Sequence, residues 1–352
     1  RVLWRYFSYS RDVTLVRETA YPILRDIARL QADYLMEDEE TGRYIIAPSV
    51  HFETTNAGFK FWGTNSLYAT TMFRMGFNQA IQAAELLGTE EAERQQWRQC
   101  LERLPPPPTT PEGVFKEWEN HDLCNNGGHN YYLPLAFPGE LVSMHHGPPE
   151  WLETCRRTWR RIRAGEIQGC SGNPWCGGQG VCELIRIGEI EEAFERSRLP
   201  ADATENGFNI LGDGGAIQVD HTPGMCRVLA DMMLLNLGGI VHVFPGIPED
   251  VPARFFSLRT AGGFLLTAEK RGDAVDYVLV EPTVGGPFRI ADPWDGEGVL
   301  YDSETGGLIA RAADEDIIEA ELRTGNRYAV LPDGASLDSL EVVDFSFGYQ
   351  PV

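Results

Sequence analysis

The stretch "VTLVRETAYPILRDIARLQADYLM", residues 13–36, sets the reading of the long leading part of the chain. Its apolar residues fall at Val13, Val16, Ala20, Ile23, Leu24, Ile27, Leu30, Tyr34 and Leu35. Steps of three and four predict a helix with one apolar face. Asp12 is placed to cap it, because a short carboxylate accepts from the N–H groups that a first helical turn leaves unpaired. Pro22 predicts a bend. The pattern recurs over 65–87 and stops at Gly88; Thr89 then stands as a cap, with Glu90 and Glu91 in the first turn of the next helix. That helix ends at the rigid loop "LPPPPTTPEG". Further helical spacing covers 149–164, 177–187, 189–198 and 223–237. Upstream, "RVLWRYFSYS" reads like the middle of a helix. A preceding segment is therefore expected, and targeting is not readable from this start.

Between the helices run long loops rich in Gly, Asn, His and Trp: "EWENHDLCNNGGHNYY", "GCSGNPWCGG" and "NGFNILGDGGAIQVDHTPG". Long loops in compact domains usually carry function. The expected architecture is mainly α: an α/α toroid lacking its first helices, with the loops at one mouth. Near residue 240 the texture changes to short β-rich runs separated by Gly and Pro, such as "RFFSLRTAGGFLLTAEKRG" and "AVDYVLVEPTVGG". The expected division is a helical catalytic domain over 1–243 and an antiparallel β domain over 244–352.

Composition narrows the function classes. Among 352 residues, 52 acids face 30 bases, a net charge of −22. Such a surface repels phosphate backbones, which excludes nucleic acid as the natural partner and suits a neutral or cationic ligand. The most apolar stretch, "MCRVLADMMLLNLGGIVHVF", is interrupted by Arg227, Asp231 and Asn236, so no membrane span is expected. Seven cysteines form no C-x-x-C pair, and Cys170, Cys176 and Cys182 are six apart, which is not a zinc spacing. Buried free thiols are the expectation, with a single disulfide the alternative. "EWENHD" collects acids and a histidine but lacks the H-E-x-x-H order of a metal helix; "GDGG" at 212–215 lacks a Walker lysine. No metal and no cofactor are expected.

"APSVHFETTNAGFKFW", residues 47–62, sets Glu53 among Phe52, Phe59 and Trp62. A carboxyl against aromatic rings loses hydration and its pKa rises, the condition a general acid needs near neutral pH. A solvated loop glutamate is the plainer alternative. Asp220, in "IQVDHTPG", is either a helix-capping acid beside Pro223 or a second carboxylate facing Glu53. Trp175, in "GNPWCGG", is expected to project from a tight glycine loop and stack on a sugar face. His129, in "GGHNYYLPLAFPGE", is expected as a pocket wall or as a structural histidine.

The order of these segments resembles the catalytic region of glycoside hydrolase family 95, whose best-known members are α-1,2-L-fucosidases. "RYFSYSRDVTLVRETAYPILRDIARLQADYLMEDEETGRYIIAPS" resembles the helix leading into the family's P-S-x-S-P-E-N loop. "LERLPP" with "GVFKEWENHD" resembles its R-L-P-P and Q-E-W segments, and "HNYYLPLAFPG" its H-V-S-H-L-x-x-L-x-P-G. "NPWCGGQGVCELIRIGEIEEA" is similar to G-W-S-x-A-W-K and the helix after it. "NILGDGGAIQVD" is similar to N-L-F-D-x-H-P-P-F-Q-I-D-G-N, and "VHVFPGIPED" with "LRTAGGFLL" to the opening of the family's β domain. The resemblance implies an (α/α)6 barrel, a β-sandwich-like domain and inverting hydrolysis. The family's general acid falls on Glu53. Its second essential acid falls on Asp220, which in the family polarises asparagines of a W-H-x-N-I-N segment that would precede Arg1.

The chain departs from the family where the sugar would sit. S-P-E-N is "HFETTN", Q-I-D-G-N-F-G is "QVDHTPG", the second histidine of H-V-S-H is Tyr132, and H-P-P is "GGA". His51, Glu117, His129, Trp175 and Gln218 are the expected substrate-binding residues. The expected activity is that of an inverting exo-acting α-glycosidase, α-L-fucosidase-like, on an oligosaccharide or glycan. A non-catalytic carbohydrate-binding protein, or a related phosphorylase or polysaccharide lyase, is the alternative. The resemblance also implies a secreted or periplasmic setting.

Overall fold

The computed structural model describes residues 1–49, 63–120, 133–167, 174–202, 221–313 and 316–337. It divides into two compact units: Arg1–Phe7 with Asp12–Leu229, and Ser8–Arg11 with the chain from Ala230 onward.

The first unit is mostly helical: α1 (Val2–Ser10), α2 (Val13–Leu15), α3 (Tyr21–Tyr34), α4 (Leu67–Leu87), α5 (Glu91–Arg103), α6 (Pro149–Arg163), α7 (Pro174–Ile187), α8 (Ile190–Asp202) and the start of α9 (His221–Met233), with one short antiparallel pair, β1 (Met36–Glu37) and β2 (Tyr44–Ile45), between α3 and α4. Asp12 caps α2, its side chain accepting from Leu15 N–H at 3.0 Å. Between α2 and α3 the chain makes one wide π turn, Val16–Ala20. Pro22 follows in the first turn of α3, where its missing N–H is tolerated. The bend expected at Pro22 thus takes the form of a π turn just before it. Leu24 and Ala28 of α3 pack with Phe77, Ala80 and Ala84 of α4 and Trp97 of α5 in one core. Ile23, Ile27, Leu30 and Tyr34 form an exposed stripe instead. Only part of the apolar pattern therefore reports the core within the described residues. Ser66 caps α4 by accepting from Ala69 N–H at 3.1 Å, and Gly88 ends it at φ 65°. At α5 the cap position is Glu90, at φ 56°, rather than Thr89.

The expectation of a mainly α chain is overturned. Beyond Met233 the described residues form ten strands in two sheets, so the protein is a mixed α and β molecule. One reason lies at α9. Helical spacing over 223–237 predicts a single helix, but it ends at Met233 and Leu234–Leu237 is a strand, β3. Gly238 and Gly239, at φ 60° and 87°, turn the chain directly into β4 (Ile240–Val243). Two successive positive φ angles make the tight hairpin turn that suits the twist of paired strands. Helical and hairpin readings compete for "LLNLGG", and the turn glycines decide.

The second unit continues with β5 (Ala253–Thr260), β6 (Phe264–Lys270), β7 (Val275–Pro282), β8 (Gly286–Ala291), β9 (Gly298–Asp302), β10 (Leu308–Arg311), β11 (Ile317–Leu322) and β12 (Tyr328–Pro332). A six-stranded antiparallel sheet has the order β10-β9-β12-β7-β6-β5, and a four-stranded sheet the order β11-β8-β4-β3. The pairing is not wholly antiparallel, since β4 lies parallel to β8. Phe264 and Phe288 meet edge to face, ring centroids 4.9 Å apart. At the β5–β6 turn, Gly262 N–H donates to Ser8 carbonyl at 2.7 Å. That carbonyl lies in the last turn of α1.

Candidate active site

Glu53 and His51 fall in 50–62, His129 in 121–132, and Gln218 and Asp220 in 203–220, all outside the described residues. What is described are the roots from which these segments leave, and they gather in two places.

At the first root, Ser49 and Gly63 form an antiparallel bridge, with bonds of 2.8 and 2.9 Å in the two directions. Residues 50–62 therefore start and finish at one point. Trp118, fully buried, donates its indole N–H to Ser49 carbonyl at 2.9 Å. Its ring fills the place where a Cβ on Gly63 would stand. Ser66 N–H donates to Ser49 Oγ at 3.0 Å. Residues 117–120 close the root from the other side: Leu67 N–H donates to Glu117 carbonyl at 2.9 Å, Glu119 N–H to Thr64 carbonyl at 3.1 Å, and Thr64 N–H to Asn120 Oδ1 at 3.0 Å. Residues 121–132 leave from this same place. Glu117 is buried here, 1% exposed.

The second root is the paired N-terminal ends of α7 and α9. A Cβ on Gly178 would stand 3.5 Å from the backbone of Gly224, so the two helices approach without intervening side chains. Segment 168–173 leads into α7 and 203–220 into α9. Further along, Arg186 of α7 and Arg227 of α9 share Glu140 Oε1, at 3.1 and 3.8 Å, and flank the Phe137 ring at 4.8 and 5.6 Å. The shared carboxylate and ring link the two helices. Trp175, expected in a glycine loop, is in the first helical turn of α7. Pro174 explains this: proline at a first helical position loses no hydrogen bond there.

Glu183 of α7 is buried beside Cys155 of α6. Desolvation pushes its carboxyl up to about 8, against the smaller opposing pulls of the Gln179 hydrogen bond, at 3.1 Å, and the Arg186 charge. Burial and the nearby Glu183 also push the Cys155 thiol up. Sequence reasoning missed Glu183, Asn65 and Trp118; for Glu183 the available signal was an acid on the face of α7 that also carries Gln179 and Arg186. Cys100, Cys155 and Cys182 are buried free thiols and Cys226 is an exposed one. Among the described residues no group of three His, Cys, Asp or Glu is arranged to hold a metal, and no helix is long and apolar enough to cross a membrane. The second unit has its own open groove of about 430 Å³, lined by Phe256, Leu265, Leu279, Glu281 and Arg327.

The description "Glycosyl hydrolase family 95 catalytic domain" matches residues 1–233, which span both roots. The chain belongs to glycosyl hydrolase family 95. It is 23% identical over 243 residues to a "Probable alpha-fucosidase A" of Aspergillus niger. That match takes in 66% of this chain but 30% of the fucosidase, so the chain spans under a third of that family relative. Among solved structures, a "Putative kojibiose phosphorylase from human microbiome" matches with TM-score 0.52 at 10% identity, over 91% of this chain and 43% of the other. This likeness is one of fold. An α-L-rhamnosidase of Streptomyces avermitilis, complexed with L-rhamnose, matches with TM-score 0.49 at 13% identity, over 94% of this chain and 32% of that one.

Proposed function

We propose that this family 95 domain is the catalytic part of an inverting exo-α-glycosidase, α-L-fucosidase-like, acting on a terminal sugar of an oligosaccharide or glycan. Membership of the family over 1–233 carries the reading, because that range holds both Glu53 and Asp220. Glu53 is the general acid. It gives its proton to the glycosidic oxygen as the bond from that oxygen to the anomeric carbon breaks. A water attacks the opposite face of the sugar, and Asp220 takes up its proton through intervening polar groups. Inverting glycosidases hold their two groups about 6.5–9.5 Å apart, which leaves room for that water. His51, Glu117, His129, Trp175 and Gln218 form the sugar-binding set, with the indole of Trp175 stacking on the ring. The shared root of 50–62 and 121–132 supports assigning Glu53 and His129 to one site.

The test uses the full-length protein. Glu53→Gln is expected to lower turnover of natural glycosides by roughly 10²–10⁴, the usual contribution of a positioned acid, and to spare substrates whose leaving group needs no proton. Early-time NMR should show the released sugar with inverted anomeric configuration. A retained configuration, or equal loss on both substrate types, rejects this mechanism.

A further inference from the structure

We propose that Asn65 is a positioning residue for the acid Glu53; this rests on the reading of Glu53 given above. Asn65 is 3% exposed and sits at φ 52°, in the left-handed region. Asparagine tolerates that conformation better than most residues because its short amide can bond to nearby backbone. Here the amide reaches further. Its Oδ1 accepts from Ile46 N–H at 2.7 Å, while Asn65 N–H donates to Ile46 carbonyl at 2.9 Å. Its Nδ2 donates to the Glu119 carboxylate. One buried side chain thus ties together three stretches: the residues after β2 that lead into 50–62, the turn leaving it, and the stretch that leads into 121–132.

The consequence is chemical as well as structural. A general acid works only within hydrogen-bond reach of the oxygen it protonates, and a displacement of about 1 Å costs on the order of 10²-fold in rate. Both ends of the segment carrying Glu53 are fixed at Ser49 and Gly63. Asn65 fixes those ends in turn against Glu119, so acid placement and the His129 segment share one anchor. The bond to Glu119 is charge-assisted and partly buried, which makes it the strongest of these ties and the one to perturb.

Asn65→Asp keeps the acceptor facing Ile46 N–H and replaces the donor facing Glu119 with a second carboxylate. Glu119→Gln added to it restores one donor and one acceptor with their places exchanged. Asn65→Gly removes both side-chain bonds while tolerating the same φ, and introduces no charge. Three readouts are compared in the full-length protein: hydrogen exchange at the Ser49 and Gly63 amides, turnover of an alkyl α-L-fucoside, and turnover of a 2,4-dinitrophenyl α-L-fucoside. Both single variants are expected to speed exchange at the two amides by about tenfold or more, as one charge-assisted hydrogen bond is lost. They should lower kcat on the alkyl substrate roughly 10- to 100-fold, with little loss on the dinitrophenyl one. The Asn65→Asp, Glu119→Gln double variant should recover most of both losses. Unchanged exchange in the single variants overturns the clamp whatever the activity. Faster exchange with equal loss on the two substrates overturns the positioning role while leaving the clamp. If Glu53→Gln itself shows no leaving-group selectivity, the acid assignment fails, and the exchange data still decide whether Asn65 anchors the root.

Discussion

Replacing Glu183 with glutamine should make the protein more stable in mild base. The native carboxyl titrates at about 8 against an ordinary value of 4.5. Between those two pH values the folded state holds a proton that the unfolded state has released. A carboxyl with a raised folded pKa contributes fully below its unfolded pKa, and the contribution is lost as pH rises toward the folded one. Each pH unit across that window costs about 1.4 kcal/mol, or about 5 kcal/mol over the whole of it, as an upper figure. Whole domains are stable by only about 5–15 kcal/mol, so the effect is large. Glutamine keeps the acceptor for Gln179 and removes the titration. Wild type and Glu183→Gln should therefore unfold at similar urea concentrations near pH 5, and separate progressively toward pH 8, with the variant the more stable by several kcal/mol. Urea unfolding at half-unit steps from pH 5 to pH 8.5, followed by tryptophan fluorescence, reads this directly. Parallel curves, or a variant weaker than wild type at pH 8, would mean that Arg186 holds Glu183 ionised. Burial would then not be the dominant influence.

Gly63→Ala should destabilise by about 1–3 kcal/mol, because its methyl group overlaps the Trp118 ring; a thermal melt matching wild type would show that the root can shift without cost. Among Cys100, Cys155, Cys182 and Cys226, only Cys226 should react quickly with a maleimide under native conditions, as followed by peptide mapping. Labelling of Cys155 at a comparable rate would contradict its burial.

The helices of the first unit were legible because amphipathic spacing and caps are local. Asp12, Gly88 and the run from 67 to 87 stand where the sequence predicts. Misreadings arose where two local signals compete. "LLNLGG" carries helical spacing and a hairpin turn together, and "GTEE" offers Thr89 and Glu90 for one cap position. Glu53 and Asp220 came from motif order, which is independent of geometry. Asn65 was illegible for a different reason. Its partners Ile46 and Glu119 lie 19 and 54 positions away, and no window along the chain joins them. The burial of Glu183 is hidden in the same way, since α6, which covers it with Cys155, is a separate segment of sequence.

The bond from Gly262 to Ser8 gives the β unit a timetable. Ser8–Arg11 belongs with a unit whose remaining residues begin at Ala230. The two bonded residues are roughly 250 positions apart, and at the usual pace of translation that is on the order of 10–50 s. A nascent chain therefore carries the end of α1 long before Gly262 is made to meet it. A fragment made from residue 230 onward would never find it. The β5–β6 turn thus meets its Ser8 contact only after most of the chain has been made, and it is a natural place for a chaperone, a slow ribosome pause or a destabilising substitution to act on the yield of folded protein.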